Sequence, residues 1–192
     1  MRAMFKTPAN FFSYSRLLMV PVLWVLALLG ESFWLGIGLL YCGLSDTIDG
    51  NLARWLKQTS PDGAKIDSIA DHLVLFSSVF WLLMLRPEVI TDNIAMVSIM
   101  LTISIMALLV GIFKFGRFAN LHLYSSKFAA VFLYALIVSS FIFGGYNTIL
   151  FWIACLSYTL SSVEMLVLQL SQDHVDENMG SLLLVMFRGE EA

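Results

Sequence analysis

Apolar runs, each near the length of a bilayer crossing, alternate with short polar breaks along most of this chain. A crossing needs about 20 largely apolar residues. Six segments meet or approach that requirement, at about residues 11–29, 33–55, 61–85, 93–113, 127–143 and 148–170. Gly30-Glu31-Ser32 joins the first pair, Arg86-Pro87-Glu88 opens the link between the third and fourth, and Gly144-Gly145-Tyr146-Asn147 joins the last pair. Glycine and proline punctuation supports these breaks. The pattern predicts an all-α integral membrane protein with six transmembrane helices behind a short N-terminal amphipathic lead-in. It reads as a single membrane domain over residues 1–192, with a polar C-terminal tail over 171–192.

Composition sharpens that picture. Of 192 residues, 59% are hydrophobic and only 13% are charged, against about 25% charged in soluble domains. The net charge of −3 says little, because placement matters more, and no nucleic-acid partner is expected. Cys42 and Cys155 both fall in apolar segments with no CxxC partner, and read as small buried hydrophobes rather than a disulfide or zinc site. The N-terminus, with Arg2, Lys6 and an apolar run to Leu29, has the outline of a signal peptide. Gly30-Glu31-Ser32-Phe33 offers no small-x-small cleavage site, so the run reads as a retained first span.

Basic residues are distributed unevenly. In a six-span arrangement Arg2, Lys6, Arg16, Arg54, Lys57, Lys65, Lys114, Arg117, Lys127 and Arg188 fall on one side, and Arg86 alone on the other. The positive-inside rule makes the rich side cytoplasmic, together with both termini.

Against this apolar background stand four aspartates. Asp46 and Asp49 lie in the second span, and Asp67 and Asp71 in the third. One carboxylate at the centre of a bilayer helix costs about 2.5–3.5 kcal/mol. A set of four would approach a whole domain's net stability, about 5–15 kcal/mol, so it needs cations and a purpose. Asp46, Asp49, Gly50, Ala53 and Arg54 are spaced i, i+3, i+4, i+7, i+8, which is one helical face. Gly63, Asp67 and Asp71 share a face at i, i+4, i+8. Between them Thr59-Ser60-Pro61-Asp62 reads as a break, with Ser60 as cap and Pro61 in the first turn of the next helix. Folding the chain there places Arg54 level with Gly63, Gly50 with Asp67, and Asp46 with Asp71. The acids would then converge roughly 12 Å below the hairpin tip, at 1.5 Å per residue, in a notch open to the cytoplasm.

Four neighbouring carboxylates cannot all stay ionised without compensation. Arg54 and Lys65 are too few. Oxygen donors without His or Cys select Mg²⁺, Mn²⁺ or Ca²⁺. Asp46 and Asp67 are placed to bridge two ions, and a two-metal clamp suits displacement at phosphorus. Gly50 and Ala53 leave the same face open to a bulky ligand, Gly63 allows close helix approach, and Arg54 suits a phosphate oxygen.

The order Asp-x-x-Asp-Gly-x-x-Ala-Arg, eight residues, Gly-x-x-x-Asp-x-x-x-Asp resembles the signature of the CDP-alcohol phosphotransferase family. Here it reads Asp46, Asp49, Gly50, Ala53, Arg54, Gly63, Asp67 and Asp71 without a departure. Asn10-Phe11-Phe12-Ser13-Tyr14-Ser15-Arg16, with Pro21 behind it, is similar to the family's usual opening, with Ser13 where Thr is typical. The resemblance implies a transferase of phospholipid biosynthesis. An alcohol would attack a CDP-linked lipid, usually CDP-diacylglycerol, and CMP would leave. It implies that Asp46, Asp49, Asp67 and Asp71 hold Mg²⁺ or Mn²⁺, two ions in all. Asp71 would also take the proton from the attacking hydroxyl. Asp46, Asp49, Gly50, Ala53, Arg54, Gly63 and Asp67 would line the nucleotide site. A homodimer in a bacterial inner membrane is implied as well, with the lipid bilayer and a polar alcohol as partners.

Lys114, Arg117, His122 and Lys127 cluster after the fourth span and are candidates to grip the acceptor, Lys127 first; topology alone also explains them. Family members using phosphorylated acceptors often carry a Gly-Lys-x-Lys-Thr-like run here, and Tyr124-Ser125-Ser126-Lys127 departs from it. Arg16, toward the cytoplasmic end of its span, could touch the acceptor or snorkel, and snorkelling is the favoured reading. His72, about 100° around the helix from Asp71, is assigned to packing, and Glu164 receives no role. Two other classes would use intramembrane acids. A cation or proton transporter would show repeated halves with broken helices, and an Asp-rich membrane prenyl transferase would show two separate acidic sites.

Overall fold

The computed structural model describes the backbone over residues 8–56, 61–115 and 124–171, and side chains over 14–47, 69–115 and 124–171. Helices account for nearly all of it: α1 (Pro8–Leu28), α2 (Ser32–Leu56), α3 (Pro61–Leu85), the single turn α4 (Glu88–Thr91), α5 (Ile94–Phe115), α6 (Tyr124–Phe143) and α7 (Thr148–Ser171). No strand occurs among the described residues. Six long helices thus stand where six apolar segments were expected.

Among the described residues, α5, α6 and α7 are long and apolar enough to cross a bilayer. Over the described side chains of α1 and α3 the apolar stretches run Tyr14–Leu28 and Ile69–Leu85. Polar residues also lie on these helices: α2 carries Asp46, Asp49 and Arg54, and α3 carries Asp62, Lys65, Asp67 and Asp71. Large apolar side chains such as Leu18, Phe76, Phe113 and Phe143 remain exposed, as helices in a lipid solvent allow. The fold is therefore that of an all-helical integral membrane protein.

The helix ends follow local chemistry. α1 runs through Pro21 and ends at Gly30, whose φ of 76° admits the left-handed turn. Gly30 N donates to Ala27 O and Glu31 N to Leu26 O, the paired bonds of a Schellman stop. α7 opens on Asn147, whose Oδ1 accepts from the amides of Ile149 at 2.9 Å and Leu150 at 3.1 Å. Ser60, the expected cap of α3, and the tail beyond Ser171 lie outside the described residues.

The chain divides into two compact units, Met1–Val89 with Ile137–Gly145, and Ile90–Leu136 with Tyr146–Ala192. In the first unit α1 packs along both α2 and α3, while α2 and α3 touch each other little among the described residues. The expected two-helix clamp is therefore built on a third helix. Leu23, Leu35, Leu39, Ala70, Trp81 and Phe141 are buried here, and Trp24 Nε1 donates to Ser77 Oγ at 3.0 Å. At the far end Arg86 donates to Ser140 O and Ser32 Oγ, and Ser32 donates to Phe141 O. The one basic residue expected opposite the others thus secures the last carbonyls of α6.

In the second unit α5 packs along α7. Ser104 and Ser162 meet at 3.0 Å, and Asn93 Nδ2 donates to the Tyr146 hydroxyl at 2.8 Å. Cys42 in the first unit and Cys155 in the second are buried and free, as small hydrophobes should be.

At Gly36, α2 lies close against the end of α6. A Cβ there would lie 2.7 Å from Ile142 Cγ1 and 3.0 Å from the Ile142 amide nitrogen. Backbone cannot step aside cheaply, so Gly36→Ala is expected to destabilise the fold by about 1–3 kcal/mol, outweighing a helix-propensity gain of about 0.5–1 kcal/mol. Thermal unfolding in detergent checks this, and a variant at or above wild-type stability would contradict it.

Candidate active site

Three helices each bring one charged side chain to the same place. α1 supplies Arg16, α2 supplies Asp46 and α3 supplies Asp71. Arg16 NH1 lies 3.2 Å from Asp46 Oδ1 and donates to Asp71 Oδ1. The guanidinium is 1% exposed, whereas the carboxylates are 48% and 45% exposed. The cation is therefore the floor of the site and the acids are its rim.

This geometry corrects the reading of Arg16. Snorkelling would carry its charge to water. Instead the side chain turns inward, because two carboxylates offer a better partner than a thin hydrated rim. A signal for this was present in the sequence. Arg16 lies eight residues beyond Pro8, the start of α1, hence about 12 Å along the helix, a depth comparable with that expected for the acids. An unmatched acidic set and an ionisable residue inside an apolar run belong together.

Neighbouring contacts hold the three helices in place. Ser15 Oγ and the Tyr41 hydroxyl are 2.9 Å apart, linking α1 to α2. Immediately before Asp46, Ser45 is buried and donates to Cys42 O at 2.9 Å. His72, assigned to packing, is instead exposed; its position next to Asp71 turns it off the buried face.

Of the expected pairings across the hairpin, Asp46 with Asp71 is the one on described side chains, and a single guanidinium joins them. Asp49, Gly50, Ala53 and Arg54 ride on the backbone of α2, and Gly63 and Asp67 on that of α3; their side chains lie outside the described set. No cluster of three or more His, Cys, Asp or Glu side chains occurs among the described residues. The donor chemistry of the pair nonetheless fits a hard cation. Two carboxylates from separate helices already converge on one positive centre, and both keep open surface.

The acceptor candidates sit in the second unit. Lys114 Nζ donates to Leu170 O at 3.2 Å, near the end of α7, and lies 5.7 Å from the centre of the Phe115 ring. Lys127 is exposed, with its ammonium 5.6 Å from the Tyr124 ring centre. Arg117 and His122 lie outside the described residues. Glu164 now has a partner, accepting from Ser125 Oγ at 2.6 Å.

An acidic pair from two helices, closed beneath by an arginine from a third, belongs with the spaced signature around it. A model of the CDP-alcohol phosphatidyltransferase family matches residues 6–160. The chain belongs to that family, and so to a class of membrane transferases that move a phosphatidyl group from a CDP-alcohol and generally depend on divalent metal. Searches of curated proteins and of solved structures gave no match.

The two lysines should separate by stability. Lys114 satisfies a helix-end carbonyl, so Lys114→Gln is expected to cost about 0.3–1 kcal/mol. Lys127→Gln at its exposed position should stay within about 0.5 kcal/mol. Thermal unfolding of both variants reads the difference, and equal losses would remove the structural role of Lys114.

Proposed function

We propose that this protein transfers the phosphatidyl group of a CDP-linked lipid, CDP-diacylglycerol, to a polar alcohol and releases CMP. The observation that carries the reading is the convergence of Asp46 and Asp71 on one buried cation within the family's spaced motif. Asp46, Asp49, Asp67 and Asp71 hold the divalent ions, Mg²⁺ or Mn²⁺, in this proposal. Bound metal supplies charge neutralisation at the pyrophosphate and at the leaving CMP.

The protein's own residues do the rest. Arg54, with Gly50, Ala53 and Gly63 leaving room beside it, receives the nucleotide end of the lipid. Asp71 accepts the proton of the acceptor hydroxyl as its oxygen attacks the phosphatidyl phosphorus. The new P–O bond forms on the alcohol, the P–O bond to CMP breaks, and CMP departs with the electron pair. Half exposure of Asp71 supports this role, since a proton acceptor must be reachable. Lys127, with Lys114 and Arg117 near it in sequence, is the proposed acceptor contact. The departure at Tyr124-Ser125-Ser126-Lys127 favours an acceptor without its own phosphate.

Six crossings, a single catalytic domain over residues 1–192 and a homodimer complete the proposal. So does a place in phospholipid synthesis at a bacterial inner membrane, with the acids and both termini cytoplasmic. The support is the six long helices and the one-sided placement of Lys and Arg.

Purified protein in nanodiscs, given CDP-diacylglycerol, Mg²⁺ and a panel of polar alcohols, should release CMP only when a matching alcohol is present. Asp71→Asn should lower kcat by about 10²–10⁴-fold, the usual worth of a positioned proton acceptor, while the variant still inserts and unfolds cooperatively. Absence of CMP with every alcohol, or an Asp71→Asn rate within twofold of wild type, would sink the assignment.

A further inference from the structure

Arg16 and a divalent ion call on the same oxygens. We infer that Arg16 is a resident counter-ion of the carboxylate pair, held in competition with the metal, and so a positioning residue that sets how tightly metal binds. The inference rests on the proposed metal role of Asp46 and Asp71.

The guanidinium is 1% exposed and takes Oδ1 of both acids. Two half-exposed carboxylates sharing one guanidinium keep a net charge of −1 between them. That residue of charge draws a divalent ion from the open side. The ion meets a carboxylate oxygen already engaged by NH1, and a positive charge behind it that cannot leave easily. A guanidinium stays protonated at any working pH, so it never relieves the repulsion by losing a proton. Metal binding must therefore loosen the Arg16 contacts, and the Arg16 contacts must weaken metal binding. Thermodynamic reciprocity makes these one coupling, seen from two sides.

The arrangement also answers a need of the empty site. Without metal the acids would repel each other and push α2 and α3 off α1. Arg16 supplies the attraction that keeps the three helices assembled until an ion arrives. Metal-free stability should then depend on Arg16 far more than metal-bound stability does.

Thermal unfolding of the full chain in nanodiscs tests this, in EDTA and across an Mg²⁺ titration, for wild type, Arg16→Gln and Arg16→Lys. Arg16→Gln is expected to unfold at lower temperature in EDTA, to recover most of the gap in Mg²⁺, and to show an apparent Mg²⁺ affinity about tenfold tighter, within the usual range of couplings. Arg16→Lys keeps a charge but reaches fewer oxygens, and should fall between the two. If Arg16→Gln does not fold, Arg16→Lys carries the test through a smaller shift of the same signs. A gap that Mg²⁺ leaves unchanged, with unaltered affinity, would make Arg16 a structural tie only and overturn the inference. Weaker Mg²⁺ binding in either variant would overturn it too, because Arg16 would then be helping the ion. If Mg²⁺ stabilises none of the three proteins, the metal reading of the acids fails first and this inference falls with it.

Discussion

A guanidinium buried beneath two half-exposed carboxylates is the contact on which the first unit depends. Burying a charge is expensive, and losing one partner of a buried pair typically costs about 3–5 kcal/mol. Here the expense is divided unequally. Arg16 gives up nearly all its water, while Asp46 and Asp71 keep about half their surface. The acids thus remain chemically available, and the cation that stabilises them is out of reach of solvent. α1 packs along both α2 and α3, and this one side chain on α1 ties both acidic helices.

Elsewhere the helices are secured by polar contacts placed at their ends and along their seams. Arg86 and Ser32 close the last carbonyls of α6, and Trp24 reaches Ser77 across α1 and α3. In the second unit, Ser104 meets Ser162 and Ser125 donates to Glu164. Each places a polar group against another rather than against lipid, where an unmatched group would cost several kcal/mol. Hydroxyls can also satisfy themselves on their own helix, as Thr159 does on Cys155 O. A helix can therefore carry serine and threonine through an apolar layer without charge.

Most of the helical layout was readable from hydropathy, because a 20-residue apolar run leaves the backbone little choice. Gly30 and Asn147 marked the breaks for reasons of backbone chemistry, and both act there as stops or caps. The facing of Asp46 and Asp71 was readable too, from the common midpoint of the hairpin. The middle helix of the site was not. Periodicity shows which residues share one helix face, but it carries nothing about which other helix fills the groove between two faces. Arg16 was misassigned for that reason: a lone arginine in a span satisfies the snorkelling pattern by itself, and its depth, comparable with that of the acids, does not name the helices that receive it. Lys114 was similarly ambiguous, since its partner, Leu170 O, is a backbone atom that no sequence pattern marks.

The placement of Arg16 bears on how largely apolar helices can carry these acids at all. A carboxylate at a water-filled surface is neutralised by mobile ions and gains little from any one of them. Taken partly out of water, the same group interacts strongly with each fixed charge, and small changes in occupancy carry large differences in free energy. A site whose working ion must be held yet exchangeable benefits from a built-in cation that makes the empty state tolerable. An all-carboxylate notch would bind metal more tightly but would have no stable form without it. The family match begins at residue 6 and so takes in α1 with its arginine as well as the acidic hairpin. The match therefore takes in three helices, with α1 supplying the buried cation beneath the acids of the other two.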